Sequence, residues 1–172
     1  MKSSSIILNV LLGLFKHILV IDFEFKQPLG NSPMLVCMVV KDIVTRTTKK
    51  FWLVGKNKIK FPYPIDESLF VGHYLIAEVN CMLQLQLQKP KNLWDTWVEN
   101  KKLYNGKIKK GYGLVDCLSR YGIEYPLDKD KWRDVILGKK DDRDKMFLPK
   151  YSKEDQEGIL DYCFTDVTTN EQ

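Results

Sequence analysis

Acidic side chains occur at three separate places in the chain where their spacing could support chemistry. The first is the segment ILVIDFEF, in which Asp22 and Glu24 flank the apolar Phe23. Residues two apart in a β-strand lie on the same face, so both carboxylates are predicted to point to one spot while Phe23 faces the core. Carboxylates this close repel each other unless a divalent cation lies between them, and oxygen ligands favour Mg²⁺ or Mn²⁺ over Zn²⁺. A D-x-E tripeptide is also common by chance at the polar end of an ordinary strand.

The second and third acidic places fall in predicted helices. Glu78 ends the segment HYLIAE, which starts at His73, and it lies near a helix N-terminus, where the helix dipole stabilises a carboxylate. Tyr162 and Asp166 are four residues apart in a late helix, a spacing that puts the hydroxyl and the carboxylate on one face. Each feature alone is more typical of a structural or surface role. Their order along the chain is the informative property.

The elements that position these residues follow from apolar spacing and turn residues. Strands are predicted at 18–25, 34–42, 47–54, 69–71 and 92–96, the first three as an antiparallel meander. Helices are predicted at 75–87, after 96, at 112–121, at 131–137, and from the N-cap Ser152, with Asp155 at N3, toward Asn170. Because strands come first and helices follow, we predict an α/β or α+β domain with a mixed sheet covered by helices.

Composition limits the classes of protein that remain. A chain of 172 residues is about one domain, and 44% hydrophobic with 28% charged residues exclude disorder, collagen and coiled coil. The net charge of +5 suits a polyanionic partner without requiring one. The basic residues are unevenly placed, with Asp42 the single acid in 41–60 and five lysines without an acid in 101–110. An enzyme that binds phosphates would show this segregation, and so would two solvated loops.

The cysteines and the N-terminus bear on location. The four cysteines are far apart in sequence and form no CxxC pair, so neither a zinc knuckle nor a dense disulfide scaffold is predicted. Buried free thiols fit a reducing compartment, and we predict a cytoplasmic protein without membrane association. The apolar run 6–15 after Lys2 resembles the start of a secretory signal, but no small-x-small cleavage site follows and the run is too short to span a bilayer. Residues 1–17 are interpreted as an N-terminal extension, either an extra leading helix or strand or the product of a start codon placed too early.

The order of the acidic positions resembles the DEDD superfamily of 3′–5′ exonucleases, with D-x-E on the first core strand, an acid about fifty residues later at a helix start, and Y-x-x-x-D in a late helix. The likeness is strongest to the proofreading exonuclease domain of family A DNA polymerases, especially phage and plasmid types. Supporting segments are LWDTWVE (93–99), GLVDCLSRYG (113–122), KWRDVIL (131–137) and the most specific, ILDYCFTDV (159–167). The likeness covers about residues 18–170. It implies a ribonuclease H-like fold of the α/β class over residues 18–172, with a mixed central sheet flanked by helices.

The resemblance implies a role for each acid. Asp22 corresponds to the carboxylate that bridges two divalent cations, Mg²⁺ or Mn²⁺, and Glu24 and Asp166 complete one of the two metal sites. Glu78 corresponds to the acid of the second site. The family pattern there is H-N-x-x-x-D, whereas this chain has Tyr74 in place of the Asn and an acid that is one methylene longer. This departure puts the second metal in question, because a ligand displaced by about 1 Å can cost on the order of 100-fold in rate.

Tyr162 corresponds to the tyrosine that orients the attacking water. The subclass that uses histidine places it five residues before the final acid, where this chain has Asp161, so the resemblance implies the tyrosine subclass. The implied reaction is two-metal hydrolysis of the terminal phosphodiester of single-stranded nucleic acid, DNA more than RNA, with release of a nucleoside monophosphate.

Candidate nucleic-acid contacts lie in the basic segment and near Glu78. They are Lys101, Lys102, Lys107, Lys109, Lys110 and His73, with Trp97, Tyr104 and Tyr112 available for base stacking. A solvated lysine loop beside core aromatic residues is the structural alternative.

Two other functions remain open. The first is a catalytically weakened remnant that only binds nucleic acid, suggested by Glu78. The second is a ribonuclease acting on structured RNA 3′ ends, which would lack an accessory RNA-binding domain here. The chain ends six residues after Asp166, where a polymerase of this family would continue. A free-standing domain, a split gene with the polymerase domain encoded elsewhere, and a fragment all fit this ending.

Overall fold

The computed structural model describes residues 10–108 and 110–172. Its strands form one five-stranded sheet in the order β3-β2-β1-β4-β5. The strands are β1 (His17–Lys26), β2 (Met34–Asp42), β3 (Thr47–Trp52), β4 (Ser68–Gly72) and β5 (Asn92–Asp95). β1, β2 and β3 pair antiparallel, whereas β4 runs parallel to β1 and β5 parallel to β4. The predicted meander and the mixed sheet are confirmed.

Helices cover both faces of this sheet. They are α1 (Leu75–Gln84), α2 (Thr96–Tyr104), α3 (Leu114–Arg120), α4 (Lys129–Leu137) and α5 (Lys153–Asn170), with short 3₁₀ turns at Ile65–Glu67 and Lys140–Asp142. Residues 10–14 are also helical. Apolar residues of α1 pack with one face of the sheet, and those of α4 and α5 pack with the other face. The structure is therefore α/β, as predicted. No helix in the described part of the chain is long and apolar enough to cross a membrane.

Alternation along β1 decides which side each residue faces. Leu19, Ile21 and Phe23 belong to the core cluster under α1, whereas Val20 belongs to the cluster under α5. Because side chains alternate along a strand, Asp22 and Glu24 share the α5 face with Val20. The pairing of β1 with β2 then shifts register between Glu24 and Phe25, a β-bulge of the kind often found beside active sites.

An opening in the sheet lies beside the second half of β1. β4 pairs with β1 only as far as Val20, and β4 ends at Gly72 before the chain turns into α1. Gly72 permits this turn, because a Cβ atom there would lie 2.6 Å from Cδ2 of Leu75 and 3.3 Å from the backbone oxygen of Ile21. The N-terminal turn of α1 consequently packs against the free edge of β1.

Several helices and strands begin or end at other residues than predicted. The helix predicted at 75–87 ends at Gln84, since Gln86 adopts a left-handed backbone with φ 56°. The helix predicted at 112–121 starts at Leu114 because Gly113 is its extended N-cap, and the strand predicted to residue 54 ends at Trp52. The helix predicted from residue 131 starts at Lys129, capped by Asp128. The predicted capping box at Ser152 is confirmed.

Candidate active site

Asp22 and Glu24 converge with a third side chain from α5. Ligand atoms of Asp22, Glu24 and Cys163 all lie within 4.8 Å of one another. The Cys163 thiol is 3.2 Å from Oδ2 and 3.3 Å from the backbone oxygen of Asp22, so it serves as a hydrogen-bond donor to Asp22. Cys163 has no predicted role, although it lies between Tyr162 and Asp166 in the most specific segment. Cys163 is buried where α5 packs against the sheet, in contact with Asp22 of β1.

Asp166 lies one turn further along α5 and is held by two residues that sequence reasoning missed. The Tyr125 hydroxyl donates to its Oδ1, and Nζ of Lys129 lies 2.8 Å from its Oδ2. Asp166 is 7% exposed, so both contacts are largely shielded from water. Asp161, by contrast, points outward and pairs with Lys50 at 2.7 Å, as its place on the helix predicts.

Glu78 enters the site from the opposite layer. It is 5% exposed, and its Oε2 has no hydrogen-bond partner among the described residues. The backbone of Phe23 lies near enough to this carboxyl group to oppose the rise of its pKa, so Glu78 lies beside β1. A buried polar atom without a partner is uncommon in folded proteins, and one explanation is a site for an ion or a water molecule.

Burial and mutual repulsion perturb the acids strongly. Burial, followed by the charge of Asp166, raises the pKa of Asp22 to about 8. Burial and then the charge of Asp22 raise the pKa of Glu24 and of Glu78 well above the usual range. Lys129 acts in the opposite direction on Asp22 and Glu24 but does not cancel these effects. Such clustered, perturbed carboxyl groups are typical of functional sites.

The donor set fits a hard divalent cation. Asp22, Glu24, Glu78 and Asp166 offer carboxylate oxygens, the ligands that Mg²⁺ and Mn²⁺ prefer. Cys163 offers a soft sulfur, which suits Mg²⁺ and Mn²⁺ poorly, and without metal burial raises the pKa of its thiol well above its usual value. Bound cations would relieve the repulsion among the acids and supply a partner for the buried Glu78 oxygen.

Tyr162 lines a cleft beside these acids. The cleft, here called the α4 cleft, has a volume of about 560 Å³, and its walls include Glu24, Phe25, Gln27, Lys129, Arg133 and Tyr162. Burial, followed by the charges of Glu24 and Asp166, raises the pKa of the Tyr162 hydroxyl, which therefore stays protonated at neutral pH. The hydroxyl that contacts Asp166 belongs to Tyr125 and not to Tyr162.

The predicted lysine contacts fall on and after α2. Nζ of Lys101 lies 4.9 Å from the ring centre of Trp97 and 4.2 Å from that of Tyr112, whereas Lys102 pairs with Glu99 at 2.8 Å. Lys107 and Lys110 are exposed, and Lys109 lies outside the described residues.

Two further residues extend this surface, one at each end. Arg120, which the sequence did not single out, stacks over Tyr104 and Tyr112 at 5.0 and 5.8 Å. At the other end the Tyr74 ring meets the Trp97 ring edge-on at 5.3 Å. Aromatic rings and cations therefore form one continuous series of contacts, in the order Tyr74, Trp97, Lys101, Tyr112, Arg120 and Tyr104.

His73 is engaged within the protein. Its Nε2 lies 2.9 Å from the backbone oxygen of Tyr112 and its Nδ1 lies 3.0 Å from Oγ1 of Thr96. Burial lowers the pKa of His73, so the ring is neutral near pH 7. A phosphate contact by His73, which stays a prediction, would require one of these hydrogen bonds to break.

No family model matches this chain, and no curated protein sequence matches it. Solved structures do resemble it. One is a nuclease in its apo form, with TM-score 0.56, 13% identity, and coverage of 91% of this chain and 72% of the other. Another is NrnC from Brucella melitensis, with TM-score 0.53, 12% identity, and coverage of 94% and 75%. NrnC bound to pGG gives TM-score 0.54 and 13% identity with the same coverage. These likenesses show the fold, which is ribonuclease H-like.

Proposed function

We propose that this protein is a Mg²⁺- or Mn²⁺-dependent 3′–5′ exonuclease that hydrolyses single-stranded nucleic acid, DNA in the first place. The observation that carries the proposal is the pair Asp22 and Glu24 on one face of β1. Asp166 from α5 and Glu78 from α1 lie near enough that the charge of Asp166 raises the pKa of Asp22 and the charge of Asp22 raises that of Glu78. Glu78 also has a buried oxygen with no hydrogen-bond partner among the described residues. This arrangement does not stabilise the fold, because buried carboxylates of like charge repel each other and lower the free energy of unfolding.

Each side chain has a role in the proposed reaction. Asp22, Glu24 and Asp166 would hold one cation, and Asp22 with Glu78 a second. When bound, such cations lower the pKa of water and offset the charge of the leaving 3′ oxygen. Tyr162 keeps its proton and borders the α4 cleft beside Glu24, so its hydroxyl can orient the attacking water. Cys163 remains a neutral thiol that fixes Asp22, and no covalent intermediate is needed.

The aromatic and cationic series from Tyr74 to Tyr104 supports a single-stranded substrate. Unpaired bases stack on aromatic and guanidinium faces, and lysines hold the phosphates. The first residue of this series, Tyr74, is four residues before Glu78 in the sequence. The series therefore begins close to Glu78 along the chain. NrnC, which shares this fold, has been solved with pGG bound. Whether the strand is DNA or RNA depends on contacts with the 2′ position.

We further propose that the protein belongs to the tyrosine subclass. We also propose that it proofreads for a polymerase domain encoded elsewhere. Both proposals rest on the segment ILDYCFTDV and on the position of Tyr162 in the cleft.

The competing function is a remnant that binds nucleic acid without cutting it. Two observations favour it, namely that Glu78 replaces the usual Asp and that Lys129 and Tyr125 already contact Asp166. Such a protein would keep the fold and the stacked surface but would bind cations weakly.

The two functions are separated by incubating a 5′-labelled single strand with the protein and Mn²⁺, then repeating the reaction with EDTA. Asp166→Ala and Asp161→Ala form a matched pair, since both remove a carboxylate from α5 but only Asp166 lies among the acids. We expect Asp161→Ala to cut like the wild type and Asp166→Ala to be inactive. Equal activity of the two variants, or cutting that survives EDTA, would contradict the proposal.

A further inference from the structure

Lys129 occupies an unusual place for a cation. It starts α4, and its Nζ lies 2.8 Å from Oδ2 of Asp166, whose side chain is 9% exposed, whereas that of Lys129 is 32% exposed. The same nitrogen lies 4.9 Å from the ring centre of Tyr125 and 5.6 Å from that of Tyr162. The lysine side chain thus lies against two aromatic rings and is directed at an acid that the proposed function needs as a metal ligand.

Both oxygens of Asp166 are therefore in use within the protein. Oδ1 accepts from the Tyr125 hydroxyl and Oδ2 from Lys129. A hydroxyl can share a carboxylate with a metal ion, because it is neutral and a carboxylate oxygen has more than one lone pair. An ammonium group cannot share in the same way, since two cations at contact distance repel strongly where water is largely excluded.

Lys129 also affects the charge of two other acids, Asp22 and Glu24. Its charge lowers the pKa of Asp22 and of Glu24, against the larger effect of burial. In the absence of divalent ions its positive charge partly offsets the charges of Asp22, Glu24 and Asp166. Charge-assisted hydrogen bonds are stronger than neutral ones, so Lys129 competes effectively with a metal ion for Asp166.

We propose that Lys129 and a divalent cation compete for Asp166, so that the lysine sets how tightly the site binds metal. The inference rests on the proposed function, because it takes Asp166 as a metal ligand. Binding of the metal ion requires the ammonium group to leave Oδ2, and the partly exposed Lys129 side chain has room to move in the α4 cleft. The protein thereby keeps a neutralised site when metal is scarce, at the cost of weaker binding when metal is present.

The test is an isothermal titration calorimetry experiment in which Mn²⁺ is added to the metal-free protein. Lys129→Met keeps the length and the apolar stem of the side chain but removes its charge. We expect its dissociation constant for Mn²⁺ to be about 3- to 10-fold lower than that of the wild type, which corresponds to losing one shielded charged contact. Circular dichroism establishes that the variant is folded, and Lys129→Gln replaces it if it is not.

Two controls separate direct competition from a change of net charge. Arg133→Met removes a cation from the same cleft without touching Asp166, and Lys50→Met breaks the Lys50–Asp161 pair on the same helix as Asp166. We expect both to bind Mn²⁺ like the wild type. Equal binding by wild type and Lys129→Met, or equal tightening by Arg133→Met, would overturn the competition.

The same titration distinguishes failure of the inference from failure of the proposed function. If neither the wild type nor the folded Lys129→Met variant binds Mn²⁺, the metal-dependent function itself is wrong. If both bind it equally, only the competition is wrong. Binding by Lys129→Met where the wild type shows none would support the competition strongly.

Discussion

Asp22 and Glu24 extend from one face of β1, with a carboxylate oxygen of each within 4.8 Å of the other and of the Cys163 thiol. Burial and neighbouring charge raise the pKa of Asp22 to about 8, and that of Glu24 also rises. The folded protein consequently holds protons that the unfolded chain releases. The clustered acids therefore lower the free energy of unfolding of the metal-free protein, and a bound cation would raise it again.

The first prediction concerns pH and metal. In chelator, the free energy of unfolding should fall as pH rises from about 4, the unfolded pKa of an aspartate, through the folded pKa of Asp22, because the folded state binds more protons across this window. Millimolar Mn²⁺ or Mg²⁺ should raise the Tm at pH 8, and Asp22→Asn should flatten the pH dependence. Thermal melts at pH 5 and pH 8, with and without metal, measure this. A folded protein whose Tm is the same with and without Mn²⁺ and Mg²⁺ would contradict this prediction.

Much of this site could be predicted from local sequence. The period-two pattern of β1 places Asp22 and Glu24 on one face, and the capping box at Ser152 fixes the start of α5 and with it the direction of Asp166. These predictions hold because each depends on spacing within a single element.

Contacts between distant elements could not be predicted in this way. Tyr125 and Lys129 lie 41 and 37 residues before Asp166, and Cys163 lies 141 residues after Asp22. Nothing in the local pattern of α4 shows that its first residue turns toward α5. Only the packing of α4 and α5 on the same sheet face brings Lys129 to the acids.

The second prediction concerns Asp95, which caps two helices. Its carboxylate accepts from the backbone N–H of Leu75 at 2.9 Å, at the start of α1, and from Trp97 at 2.9 Å, at the start of α2. Asp95→Ala should lower the free energy of unfolding by about 2–4 kcal/mol, because two caps are lost together. Asp128→Ala, which removes the single cap of α4, should cost about 1 kcal/mol. Urea titrations compare them, and equal losses would show that Asp95 does not link the helices.

The third prediction concerns the length of the acid in α1. If the site is active, Glu78→Asp should change the nuclease rate by less than about tenfold, because a water molecule can bridge the shorter arm. Glu78→Gln should lose most activity, since it keeps the size and removes the charge. Single-turnover rates with Mn²⁺ measure both variants. Activity that emerges only in Glu78→Asp would instead identify the wild type as a weakened remnant.

The fourth prediction separates the two tyrosines. Tyr162→Phe should leave Mn²⁺ affinity unchanged and slow the chemical step about 10²- to 10⁴-fold, because the group that orients the water is lost. Tyr125→Phe should change Mn²⁺ affinity, since its hydroxyl contacts Asp166 directly. Titration calorimetry and single-turnover rates on the same preparations distinguish the two. A Tyr162→Phe variant as fast as the wild type would remove Tyr162 from the chemistry.

The central claim is tested most directly by the direction and product of cleavage. With Mn²⁺, the wild type should shorten a 5′-labelled single strand one nucleotide at a time, release a labelled nucleoside monophosphate from a 3′-labelled strand, and leave a circular strand intact. Asp22→Ala should do none of this, because the ligand shared by both proposed cations is lost. Cutting of the circular strand, or release of mononucleotide from the 5′ end, would contradict the account, as would wild type and Glu78→Asp that are both folded and inert.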